Sequence, residues 1–499
     1  MRCNAVCASL DVLRGTPYSR AAACGRNKRM EWKVRRRGAR GLVLAVLLLV
    51  WLACTSAATA AGIFRVDAAS TVPTPDGQTW ATAFAEIQAA VDAAFGSGGG
   101  EVWVKEGTYT STTDPVVTMK ENVHLYGGFD GTETSRAARN WSTHVTTIDG
   151  QNTRRCVIGA SDATLDGFTV QNGKATNDGG GMYNDSCSPT VTNCTFSGNT
   201  ATFGGGGMLN SFGLPTVTNC TFLGNMAHLG GGMCNVAASP TVINCTFSGN
   251  TAADLGGGMW NALSSSPIVE ICAFSGNTAF SGGGMYNASS SPMVTDCTFS
   301  ENEASSGGGM YNDYSSSPTV TNCTFSGNTA SQDGGGMYNS SSSPMVTDCT
   351  FSENEASSGG GMCNDCSSSP TAAHCTFEGN VAVSYSYGGG GIYNHGGSPM
   401  VTDCTFSGNT AFSTGGGMYN FESSPTVRAC VFAENAASAN GGGMYNDESL
   451  SLTVSHCEFL RNKASSYDSY GGAMYNSSSS PTVRNCTFVE DTASSGGDM

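Results

Sequence analysis

From Ser188 onward the chain repeats one phrase twelve times, in its commonest form SPTVTNCTFSGNTAxxxGGGMYN. That period limits the fold more than any other feature. The central cysteines are Cys194, Cys220, Cys245, Cys272, Cys297, Cys323, Cys349, Cys375, Cys404, Cys430, Cys457 and Cys486, spaced 25 to 29 residues apart. Ser289 to Met310 and Ser341 to Met362 are identical over 22 residues. Gly and Pro break each unit too often for a helix, and the residues around each cysteine are β-branched or aromatic. A unit therefore reads as two or three short strands joined by tight turns. It is too small to bury its own apolar face and must stack on its neighbours. Parallel coils about 4.8 Å apart would make a rod of roughly 60 Å from the repeats alone.

Side-chain parity refines this picture. Val191 and Cys194 differ by three positions, so the chain must turn near Asn193. Beyond that corner Cys194 and Phe196 face inward while Thr195 faces out. Val, Cys and Phe should each form an internal ladder, with every Cys a small buried hydrophobe. Asn199, Asn225, Asn250, Asn277, Asn302, Asn328, Asn354, Asn380, Asn409, Asn435 and Asn462 fall at the next corner. There they are expected to take the left-handed conformation and to bond amide to amide along the stack. The GGG before Met182 and its counterparts reads as a flexible approach to a third strand, whose Met points inward.

The motifs FSGN and GGGMYN resemble the F-x-x-N and G-G-A-I motifs of the polymorphic outer membrane protein repeat. These repeats lie within the wider group of secreted right-handed parallel β-helix proteins of pectin-lyase-like shape. DGQTWATAF, WVKEGTYT and YGGFDGTE resemble the N-terminal cap of such proteins. The resemblance implies an all-β, right-handed parallel β-helix with a short N-terminal capping helix. It also implies an exported, surface-associated protein, often connected with adhesion. Met stands where the family usually has Ile, and the family's C-terminal autotransporter barrel is not found before Met499, which falls inside an unfinished repeat.

Three segments are expected. Residues 1–61 carry a basic run, an apolar core from Gly41 to about Ala53 and then small residues, the pattern of a secretory signal peptide. Met30 fits the true start better than Met1, with cleavage near Ala60 or Ala61; lipidation at Cys54 is the alternative. Residues 62–150 form a cap and the first coils, with Phe84, Ile87, Ala90, Val91 and Ala94 at helical spacing before the strand EVWVKEGTYT. Residues 151–499 form the repeat body, and no membrane span is expected after residue 61.

Charge narrows the partners. From Gly179 onward there are 23 Asp and Glu against Arg428, Arg461, Lys463 and Arg484, a balance that argues against nucleic acid and anionic lipid as partners. Many right-handed β-helices cleave or epimerise acidic polysaccharides, so enzymatic readings need weighing. Lyases need clustered carboxylates for Ca²⁺ and a cationic base. Asp296 and Asp348 share a repeat position with Asp403 but lie two coils apart, with Asn322 between them. The N-T-D, D-D and G-H-G segments of β-helical hydrolases are absent; Asn394-His395-Gly396 comes nearest and reads as a solvated loop. His374 and His456, before their ladder cysteines, read as turn residues.

Cys363 and Cys366 form a lone C-x-x-C, weak evidence for zinc or redox chemistry, and repeat drift explains it better. Asp178 to Gly181 and Asp333 to Gly336 are similar to calcium-binding glycine repeats but lack their period, so only incidental calcium is expected. An outward Thr row at Thr195, Thr221, Thr246 and their equivalents could template ice or a crystalline polysaccharide, although exposed strands favour Thr in any case. The N-C-T sequons at Asn193, Asn219, Asn244, Asn322 and Asn485 would matter only in a eukaryotic secretory pathway. The resulting expectation is a non-catalytic, adhesin-like or structural surface protein presenting an acidic face to carbohydrate or to host or neighbouring cell-surface molecules. It needs no cofactor and has no nominated catalytic or metal-binding residue. A polysaccharide lyase, hydrolase or epimerase is the alternative.

Overall fold

The computed structural model describes residues 62–498. The expected signal peptide, its start at Met30, its cleavage point and Cys54 lie outside those residues. Within them the chain is an all-β parallel solenoid with one α-helix, Ile87–Gly96. The helix buries Ile87, Ala90, Val91 and Ala94. Phe84 lies before it, in extended chain bridged to Val66, and so is not part of the helix.

Each full coil has four sides, one more than the repeat suggested. The first side builds a 16-stranded sheet running from Gly62–Val66 to Thr482–Arg484. The second builds a 15-stranded sheet from Gly107–Tyr109 to Thr487–Val489. After a short third side, the fourth builds a 14-stranded sheet from Val117–Thr118 to Met474–Ser477. They are called here the valine, phenylalanine and methionine sheets after their inward residues. The strands of this third side, two to five residues long and usually two, as in Thr200–Ala201, form ladders of four and seven, joined through single bridges at Thr278. Every pairing within these sheets is parallel and places like repeat positions side by side, as Val191↔Val217, Phe196↔Phe222 and Met208↔Met233.

This register makes the core a set of columns. The Phe column from Phe196 to Phe488 stacks rings with centroids 4.6 to 5.1 Å apart, all within 10° of parallel. Offset parallel stacking at that distance adds to the burial each ring gains from its neighbours. Asn193 supplies the turn between the valine and phenylalanine sheets with a φ of 52°.

The next corner departs from expectation. The left-handed residue there is Gly198, with φ 61°, while Asn199 points inward and is fully buried. The glycine run is also the reverse of a flexible approach. A Cβ on Gly335 would lie 2.5 Å from the Glu355 carbonyl oxygen, and one on Gly336 would lie 2.8 Å from the Phe351 ring. These glycines exist because two coils touch there backbone to backbone.

Candidate functional site

The twelve ladder cysteines line the corner between the valine and phenylalanine sheets. Cys194 to Cys457 are buried, Cys486 is partly exposed, and all are free thiols. Cys220 shows the pattern: its Sγ–H points to the Thr218 carbonyl at 3.2 Å, while its backbone N–H points to Cys245 Sγ at 3.4 Å. Burial pushes the Cys220 thiol well above its ordinary pKa and, outside the ladder, pushes Cys156 up to about 12. Enclosure denies the buried rungs access to a partner.

The asparagines from Asn199 to Asn462 line the following corner. Asn225 Oδ1 accepts from both the backbone N–H and the Nδ2 of Asn199 at 3.0 Å, while Asn225 Nδ2 donates to the Phe196 carbonyl at 2.9 Å. The same three bonds recur down to Asn462, whose partner in the next coil is Asp491. A second asparagine column runs inside the methionine sheet and was missed by the sequence reading. Asn184 donates to Asn210 Oδ1 at 2.8 Å and the series reaches Asn476. Its signal was the invariant N of the MYN phrase.

Chemistry gathers instead on the outer face of the methionine sheet. There the residue after Met and the residue after Asn point outward, giving a tyrosine column beside an Asp, Ser and His column. Two coils repeat one unit. The Tyr286 hydroxyl donates to Asp313 Oδ2 at 3.0 Å, and the Tyr338 hydroxyl to Asp365 Oδ2 at 3.1 Å. One coil beyond Asp313 stands Ser340, whereas beyond Asp365 stands His395, its Nδ1 2.7 Å from Asp365 Oδ1. His395 closes the strand Ile392–His395 and its side chain is 39% exposed, so it is not the solvated loop residue expected from Asn394-His395-Gly396.

The histidine reverses the electrostatics of its unit. Burial raises the Asp313 carboxyl above the usual range. Burial acts in the same sense on Asp365, but the bonds from His395 and the Cys366 backbone N–H outweigh it and hold the carboxyl low. The Asp365 bond in turn raises the His395 imidazole. The surroundings are aromatic. His395 lies 5.2 Å from the Phe421 ring and 6.4 Å from Tyr393, and Tyr387, from the inserted SYSYGGGG loop, packs 6.0 Å from Tyr393. An Asp-oriented imidazole beside a tyrosine hydroxyl can exchange a proton near neutral pH and can hold a hydroxylated ligand against the rings.

Other sequence candidates are not brought together. Asp296, Asp348 and Asp403 sit singly at the left-handed corner before their ladder cysteines, as do His374 and His456. Cys363 is buried within the tyrosine column while Cys366 is exposed on the turn that follows. Among the described residues no group of three or more His, Cys, Asp or Glu is arranged to hold a metal ion, and no helix is long and apolar enough to cross a membrane.

The solenoid, its parallel register and its columns define a β-helix protein. Two overlapping matches to the family described as right handed beta helix region cover residues 208–382 and 348–488, and the chain belongs to that family. A family described as a protein of unknown function, DUF1565, matches residues 76–267. Mannuronan C5-epimerase AlgE2 of Azotobacter vinelandii is 38% identical over 92 residues, which are 17% of this chain and 9% of that protein. The matched region thus spans under a tenth of that relative's length. Among solved structures, the A-module of mannuronan C-5 epimerase AlgE6 of Azotobacter vinelandii aligns over 82% of this chain and 93% of its own at 11% identity, with a TM-score of 0.28. Bacteriophage CBA120 tailspike protein 3 aligns over 85% of this chain and 61% of its own at 12% identity, with a TM-score of 0.32.

Proposed function

We propose that this protein is an exported, cell-surface β-helix that binds polysaccharide along the outer face of its methionine sheet, with residues 62–150 serving as the cap of the repeat body. The observation that carries the reading is the Asp365–His395 pair, partly exposed over the buried Tyr338 and Tyr393, with Phe421 and the exposed Tyr387 beside it. The rings of Tyr387 and Phe421 offer flat apolar area to the C–H face of a sugar, while the acid and imidazole bond its hydroxyls. The 92-residue likeness to mannuronan C5-epimerases supports a polysaccharide as the ligand class, and the basic, apolar and small-residue run within residues 1–61 supports export.

A second reading, polysaccharide modification, is favoured by the same pair, because an orienting carboxylate on an imidazole is how a general base is poised. A glycan array run together with turnover assays on polyuronates tests both. Binding that His395→Gln and Asp365→Asn each weaken, without product, is the result expected of the binding reading. A new product that both variants abolish would establish modification, and no binding to any glycan would overturn the proposal.

A further inference from the structure

We propose a second, separate ligand site for a neutral polysaccharide, where the loop after Arg136 meets the outer face of the phenylalanine sheet. Trp141 is 43% exposed there, yet the chain commits a good deal of structure to holding it still. Asn140 N–H donates to the Gly128 carbonyl at 2.8 Å, and Asn140 Oδ1 accepts from the Ser142 backbone and hydroxyl. Behind the indole, 4.9 Å from its centroid, lies the Arg139 guanidinium. That group is buried, pairs with the Asp166 carboxylate and donates to the Gly127 carbonyl at 2.9 Å. Two glycines with positive φ leave the room required. A Cβ on Gly128 would lie 2.6 Å from the Trp141 backbone, and one on Gly167 would lie 2.8 Å from Arg139 Nη1. A solvent-facing indole fixed by a buried ion pair and two obligatory glycines is preorganised for contact, and preorganisation is what limits the entropy lost on binding.

The indole overlooks a depression of about 340 Å³. Its floor is the outward row Thr169, Thr195 and Thr221, held in register on adjacent strands, and Asn219 stands at its edge with Nδ2 3.3 Å from Asn193 Oδ1. The row continues to Thr246 and stops at Ala273. Four rungs at about 4.8 Å make a polar track of roughly 15 Å, long enough for a short run of sugar units.

The chemistry selects the ligand. The lining residues carry no charged side chain, the Arg139 guanidinium behind the indole is already spent on Asp166, and His144, between the lining residues Ser142 and Val145, is paired with Glu106. A polyuronate or nucleic acid would meet an acidic chain with no free cation in the depression to offset the repulsion. An uncharged glycan meets what is present: an aromatic face for its C–H surface, and hydroxyls and amides for its own hydroxyls. The site lies on a different sheet from the Asp365–His395 pair and does not depend on it.

Titration of the full chain with a soluble β-glucan, a mannan and a xylan, and separately with alginate and pectate, tests this by calorimetry and tryptophan fluorescence. At least one neutral polymer is expected to bind and to perturb the emission. Trp141→Ala should weaken that binding by about tenfold or more with the melting temperature held, while Tyr467→Ala, at an exposed aromatic outside both sites, should leave it unchanged. If Trp141→Ala does not fold, Thr195→Arg with Thr221→Arg fills the track from exposed strand positions and should abolish the same binding. Failure of every neutral polymer to bind, binding indifferent to both sets of substitutions, or Trp141-dependent preference for alginate or pectate would overturn the proposal.

Discussion

At the scale of single residues, the repeat sets an ordinary choice at each position and the exceptions carry the information. The corner after each Phe is left-handed and usually glycine, yet Glu301, Glu353 and Glu434 occupy it with φ between 55° and 58°. A side chain in that conformation costs about 1 kcal/mol or more. Glu353→Gly is therefore expected to raise stability by about 1 kcal/mol in urea denaturation. No gain would mean that the corner is relieved by contacts of the Glu side chain.

The Asp365–His395 pair makes a pH-dependent prediction. A raised imidazole pKa means that its stabilisation is complete below the ordinary value of 6.5 and is lost as pH rises through the folded value above it. Melting temperature should fall across that window in the wild type and stay flat there in His395→Gln. Asp313, whose neighbour is Ser340, should show no such step.

Sequence reasoning found the cysteine corner because a rare residue marks it. His395 is harder to read, because Asn394-His395-Gly396 resembles an enzyme motif while its structural counterpart is MCND one coil earlier. Register pairs Asn364 with Asn394 and so sets Asp365 beside His395. The spacing of the two phrases was on view; which column faces outward was not.

At the scale of elements, the columns explain why short strands hold. A three-residue strand such as Thr221–Leu223 could not persist alone, but its Phe is stacked above and below and its flanking Asn is bonded in both directions. Strand positions and inward Val, Phe and Met were legible from alternation. The placement of Asn199 inside, one residue past the left-handed turn, was not, because Gly198 and Asn199 both tolerate turns and only the backbone shows which one turns.

The asparagine column also contains its own test. At Asp491 the series meets a carboxylate: Oδ1 accepts from Asn462 as an asparagine would, but the buried Oδ2 has no partner. Burial raises this carboxyl, so the folded state binds its proton more tightly than the unfolded chain does, and stability falls as pH rises through that range. Asp491→Asn would supply an Nδ2 donor for the next carbonyl in the series that Asn462 and its predecessors use. The substitution should stabilise by about 1 to 3 kcal/mol at neutral pH, with the difference closing toward pH 4 in chemical denaturation. An equal difference at both pH values would place the gain outside the titration of Asp491.

At the scale of the whole described stack, contacts run only between neighbouring coils. Stability is then close to a sum of coil and interface terms, and opening can be local. The cysteine ladder places one thiol in each of the twelve repeat coils and thereby reports opening coil by coil. In native buffer an impermeant thiol reagent should modify Cys366, the exposed thiol, at once, and partly exposed Cys486 more slowly. Rungs such as Cys297, Cys323 and Cys349, enclosed by a coil on each side, should react only when their own coils open. In rising urea, peptide mapping of the labelled sites should then give a graded order, with the central rungs protected longest. Simultaneous modification of every rung at one urea concentration would instead mean that the Phe and Asn columns bind the coils into a single cooperative unit, with interface terms that outweigh any one coil.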